Sequence, residues 1–179
     1  MSQEITESEE KANLLVGVVK GDITKVQTQA IVTVIHSDLA IKGSLNEAIF
    51  AAAGPELDAF ILENVIAPHV NDVFVVPGFD LPAKRIIFSI VPAWRSDLDI
   101  VDKHLTNAVR GIIETATKMG LTEISIPLIC CGQKGYPLQR GIRLILQGIV
   151  DRISPPLQRI NFVCDKDEAV QIYKKRLNI

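Results

Sequence analysis

Short β-branched runs alternate with segments of helical periodicity along most of the chain, and this alternation restricts the fold more than any other feature. The runs are LLVGVVK (14–20), AIVTVIH (30–36), DVFVVPG (72–78), KRIIFSIVP (84–92), EISIPLI (123–129) and QRINFVC (158–164). Their length and composition are those of strands. Between them, Ser44 reads as an N-cap with Glu47 completing a capping box, which predicts a helix over about 45–53. Gly54-Pro55 stops it, and helical spacing resumes over 56–66. Residues 99–119 carry a stripe of Ile100, Leu105, Val109, Ile112, Ile113 and Ala116, and two further helical patterns occupy 137–152 and 166–177. The expected fold is α/β: a three-layer α/β/α sandwich about a mixed central sheet, forming one domain over residues 13–179 behind a flexible acidic tail at 1–12.

Composition narrows the functional classes. Apolar residues make up 47% of the 179 and charged residues 22%, a globular balance. A formal net charge of −2 gives no overall field that would draw the chain to nucleic acid or an anionic membrane. The first residues, MSQEITESEEKAN, lack the basic-then-apolar character of a signal peptide, and the apolar runs are too short to span a bilayer. Cys130, Cys131 and Cys164 are odd in number and lie in no metal-binding spacing, so reduced thiols, a cytoplasmic location and no metal or cofactor are expected.

Ligands of open α/β sheets bind where strand ends feed helix N-termini, and two junctions qualify. The first runs from His36 to Ser44 and holds Lys42 and Gly43; the second, CCGQKGYP, runs from Cys130 to Pro137. A loop entering a helix offers free backbone N–H groups and the positive end of the helix dipole, so both are candidate anion cradles. Read without further context they are equally ordinary connections whose glycines serve turn geometry.

Five stretches together resemble the macrodomain family: GDIT (21–24), AIV (30–32), AIFAAAGPEL (48–57), GFDLPAKRIIFSIVPAW (78–94) and IPLICCGQKGYPLQRGIRLIL (126–146). Each is weak alone, but their order and spacing are specific. The resemblance spans about residues 14–177 and implies a three-layer α/β/α module that binds ADP-ribose. Some members of the family hydrolyse ADP-ribose from proteins or nucleic acids, or deacetylate O-acetyl-ADP-ribose. It implies that Asp22 accepts the adenine amino group, with Ile23 beside it; the alternative for Asp22 is a turn aspartate. It implies a first phosphate loop at Lys42, Gly43, Ser44 and Leu45, and a second at Cys131, Gly132, Gln133, Lys134, Gly135 and Tyr136.

The chain departs from the family pattern at the chemistry. His36 stands where the resemblance implies a ribose-side asparagine, Asn46 where many hydrolases carry an acid, and Phe50 where they carry a histidine one turn later. Neither an amide nor a phenyl ring acts as a base. His36 is therefore the catalytic candidate, as an imidazole that titrates near neutrality; the alternative is a strand-end histidine bonded to backbone. Lys42 and Lys134 either supplement the phosphate cradle or point to solvent. His69 and His104 read as surface residues, and Trp94 as a packing residue. The expected function is binding of ADP-ribose or a related adenine nucleotide, free or on an ADP-ribosylated protein, with weak or no hydrolase activity and no nucleic-acid or membrane partner. An active ADP-ribosyl hydrolase or O-acetyl-ADP-ribose deacetylase, and a degenerate scaffold for protein or nucleic acid, are the alternatives.

Overall fold

The structure is a computed structural model that describes residues 14–93, 97–130 and 136–179. Its strands are β1 (Leu15–Lys20), β2 (Ile31–His36), β3 (Val73–Pro77), β4 (Arg85–Val91), β5 (Glu123–Ile126) and β6 (Arg159–Cys164). They form a mixed sheet in the order β1-β6-β5-β2-β4-β3, antiparallel only between β3 and β4. The helices are α1 (Ser44–Ala53), α2 (Pro55–Asn64), α3 (Leu98–Lys118), α4 (Leu138–Arg152) and α5 (Asp167–Leu177). No helix among the described residues is long and apolar enough to cross a membrane.

Strand alternation builds two cores, one on each face of the sheet. Ile31 and Ile35 of β2 and Ile86, Phe88 and Ile90 of β4 pack with Ile49 and Phe50 of α1 and Leu57 and Ile61 of α2. Their strand neighbours Val32 and Ile87 join Leu105 and Val109 of α3, Ile142 and Ile145 of α4, and Tyr173 of α5. Both faces are covered, which is why the strands read as continuous apolar runs. The result is the three-layer α/β architecture expected from the sequence.

Several local expectations are corrected. Ser44 does not cap α1 and no capping box forms: Gly43 is the N-cap, at φ 82° and ψ 153°, with no side-chain cap bond. Glu47 instead donates its amide to the Gly43 carbonyl at 3.0 Å, as the first turn of the helix requires. Helix α2 starts at Pro55, whose missing N–H suits a first position, and ends at Asn64. Gly54 joins the two helices at φ 89°, and a Cβ there would lie 2.7 Å from the Asp80 carboxylate, so only glycine fits the corner. Strand β5 ends at Ile126, before Pro127. A 3-10 turn, Ile23–Lys25, follows β1 where no element was expected. Ile100, assigned to the buried stripe of α3, is 38% exposed, and its neighbour Val101 is the buried residue.

Candidate functional site

Strand β2 registers with β4 along its whole length but with β5 only at Ile31 opposite Ser125. Beyond that pair the two strands part, and a cavity of about 570 Å³ lies between their C-terminal ends. Its walls are the turn after β1, the end of β2 and the loop into α1, the first half of α3, and the segment after β5. This is the crevice at which open α/β sheets bind ligands.

Asp22 and Ile23 form one end. Ile23 is buried and Asp22 is exposed, and both line the cavity. Asp22 caps the 3-10 turn: its Oδ1 accepts the Thr24 amide at 2.9 Å and the Thr24 hydroxyl at 2.6 Å. The Thr24 hydroxyl, then the Thr24 amide, hold its carboxyl below the ordinary aspartate value. Oδ2 has no protein donor among the described residues, and the side chain that caps the turn also lines the cavity.

The loop into α1 brings Lys42, Gly43, Ser44 and Leu45 to the cavity, as the sequence suggested. Gly43 turns the chain so that the first-turn amides of α1 carry no side-chain cap. The Lys42 ammonium lies 2.8 Å from the Asp38 carboxylate, and both side chains are half exposed. Its charge is thus offset within the loop. One residue into the helix, Asn46 is 6% exposed and fully engaged. Its Oδ1 accepts the Thr33 hydroxyl at 2.7 Å and its Nδ2 donates to the Val34 carbonyl at 2.7 Å. Asn46 therefore ties α1 to β2. Phe50, a turn later, lies in the core in edge contact with Phe88 at 6.0 Å and away from the cavity.

His36 lines the cavity from the end of β2. Burial, then the Lys42 ammonium, hold its imidazole below the ordinary value against the pull of Asp38. The expected backbone bond to its ring is absent at Nδ1, which is buried without a partner. His104, read from the sequence as a surface residue, is a correction: it is half-buried, lines the same cavity, and also has a buried, unpartnered Nδ1. A signal for it existed, because His104 stands three residues from Val101 and four from Ile100, on the side of α3 that faces the sheet. His69 is a surface residue, with 85% of its side chain exposed.

Cys130 lines the cavity at φ 60°, and burial pushes its thiol up to about 12. Tyr136, at the end of the second loop, is buried. Its hydroxyl donates to Asp102 on α3 at 2.6 Å, beside Arg140 of α4, which also holds Asp102. Cys131, Gly132, Gln133, Lys134 and Gly135, together with Trp94, lie outside the described residues. Sequence reasoning also missed Asp165 and Lys166, which follow β6 and line the cavity beside Asp22. Among the described residues no group of three or more His, Cys, Asp or Glu could hold a metal ion.

Comparison with known proteins gives this geometry a lineage. The Macro domain family model matches residues 32–145. An O-acetyl-ADP-ribose deacetylase 1 of Pantoea vagans is 31% identical over 166 residues, covering 90% of this chain and 97% of that protein. An O-acetyl-ADP-ribose deacetylase of Cronobacter turicensis is 29% identical over 167 residues, covering 90% and 95%. The Oceanobacillus iheyensis macrodomain solved with ADP superposes with a TM-score of 0.79 at 30% identity, covering 90% of this chain and 88% of that one. Mutants of that macrodomain change an asparagine, a glycine and an aspartate placed seven and then three residues apart, the spacing of His36, Gly43 and Asn46 here. The family model spans more than half of the chain, the relatives and the superposition span 90% of it, and the chain belongs to the macrodomain family.

Proposed function

We propose that this chain binds ADP-ribose or a related adenine nucleotide in the cavity between β2 and β5, with weak or no hydrolase activity. One observation carries the binding half: Asp22, whose Oδ2 has no donor among the described residues, and the uncapped first turn of α1 open onto one cavity of about 570 Å³. Cavities of roughly 300–1,000 Å³ suit small-molecule ligands. Asp22 suits an amino-group donor such as adenine, and helix N-terminal amides suit a diphosphate. The relative solved with ADP supports the same ligand class. An ADP-ribosyl group carried on a protein falls under the same reading.

The inactive half rests on side chains already engaged. Asn46 carries no carboxylate and both ends of its amide are bonded; Phe50 is core; burial raises the Cys130 thiol away from its reactive form. A second reading, deacetylation, is favoured by the names of two relatives that match 90% of the chain. There His36 would take a proton from water as the hydroxide attacks the acetyl carbonyl, and return it to the leaving ribose oxygen, with acetate and a proton released.

Calorimetry with ADP-ribose followed by incubation with O-acetyl-ADP-ribose separates the two. Micromolar binding without acetate release is the expected result. Release that disappears in His36→Ala favours the deacetylase, and silence in both experiments removes both readings.

A further inference from the structure

His36 and His104 reach one cavity from different elements, the end of β2 and the first half of α3, and share an unusual state. Each Nδ1 is sealed from solvent and has no hydrogen-bond partner among the described residues. A neutral imidazole carries one N–H and one bare nitrogen, and the surroundings decide which is which. A buried N–H without an acceptor is rarer and costlier than a buried acceptor without a donor. The proton therefore belongs on Nε2, and Nδ1 keeps its lone pair. Charging the His36 ring would place a second proton on Nδ1, a cationic donor facing no acceptor among the described residues.

We propose that His36 and His104 present the cavity with neutral rings whose single proton sits on Nε2, a pair of hydrogen-bond donors for ribose or phosphate oxygens and not proton acceptors. The charged groups acting on His36 are Lys42, which opposes its protonation, and Asp38, which favours it and is occupied by Lys42. The depressed imidazole of His36, caused first by burial, agrees with a ring that resists a second proton. The ligand's identity rests on the ADP-ribose reading; the protonation state does not. The pair also argues against His36 as the base of a deacetylase, since the nitrogen left bare is the sealed one.

Ring ¹⁵N NMR of the full chain at pH 7 tests the assignment without a ligand, with His36→Asn and His104→Gln identifying the signals and exposed His69 as the reference. Both rings should show a protonated Nε2 and a bare Nδ1. A protonated Nδ1 or an imidazolium at either position overturns the proposal. In ADP-ribose titrations, His36→Asn and His104→Gln keep an N–H donor and should hold affinity within about threefold, whereas His36→Ala and His104→Ala should each lose about tenfold. Equal losses in the donor-retaining and alanine variants also overturn it. If wild type fails to bind ADP-ribose while the ring spectra are as stated, the ligand reading fails alone and the donor assignment stands.

Discussion

Asn46 and His36 line the same cavity from neighbouring elements, yet the fold treats them in opposite ways. Asn46 has its carbonyl oxygen and its amide nitrogen both bonded to β2, at 2.7 Å each. His36 has a buried nitrogen with no partner among the described residues. The comparison separates polar groups that hold the site together from those left for a ligand.

The largest effect should come from the architectural side. Phe50→Ala removes a buried ring from the contact with Phe88 and should cost about 3–5 kcal/mol in urea unfolding. A loss below ~1 kcal/mol would mean that Phe50 is not core. Asn46→Ala strands the Thr33 hydroxyl and the Val34 carbonyl and should cost about 2–4 kcal/mol. Asn46→Asp sharpens the same point through pH. The new carboxyl would keep the Thr33 bond but set an acceptor against the Val34 carbonyl, which favours its neutral form and raises its folded pKa. A raised carboxyl stabilises fully below its unfolded value of about 4 and loses that contribution as pH rises through the folded value. The variant should therefore have a higher urea midpoint, relative to wild type, at pH 4 than at pH 7; the reverse order contradicts the tie to Val34.

On the ligand side the effects should be on affinity. Asp22→Ala should weaken ADP-ribose binding roughly ten- to a hundredfold, the scale of a charged hydrogen bond, and should also lower the unfolding midpoint by the loss of the turn's cap, about 1 kcal/mol. Because Thr24 holds the Asp22 carboxyl below its ordinary value, binding should persist into acid and fall only as pH drops through that lowered value. Thr24→Val removes the main cause and should move the loss to higher pH; an unmoved acid limb breaks the link. Smallest of all should be Lys42→Ala, within about threefold, since Asp38 already neutralises the ammonium in an exposed pair. A tenfold loss would put Lys42 on the ligand.

Much of the framework was readable from the residues alone, because strands covered on both faces announce themselves as unbroken apolar runs. The stripe on α3 was read correctly from Leu105 to Ala116 and failed only at its first turn, where Ile100 faces the cavity mouth and Val101 faces inward. The capping box failed because Ser44 and Glu47 carry the right side chains, but the backbone of Gly43 makes the turn without them. His104 escaped notice because a single polar residue among apolar neighbours is usually a surface residue, and no local pattern reveals that two strands part opposite it. The engagement of Asn46 with Thr33 and Val34 joins residues 13 and 12 positions apart and becomes visible only when α1 lies against β2. The Tyr136 bond to Asp102 likewise joins residues 34 positions apart.

The single register between β2 and β5 has a mechanical consequence. With Ile31 opposite Ser125 as the one registered pair, the sheet is two three-stranded ribbons, β1-β6-β5 and β2-β4-β3, sharing a seam. Asp22 hangs from the first ribbon and the start of α1 from the second, so a ligand that touches both spans the seam. Such a molecule acts as a clasp, and its footprint should extend beyond the atoms it contacts. The amides of β2 and β5 should exchange with solvent more slowly when it is bound, as two ribbons become one plate.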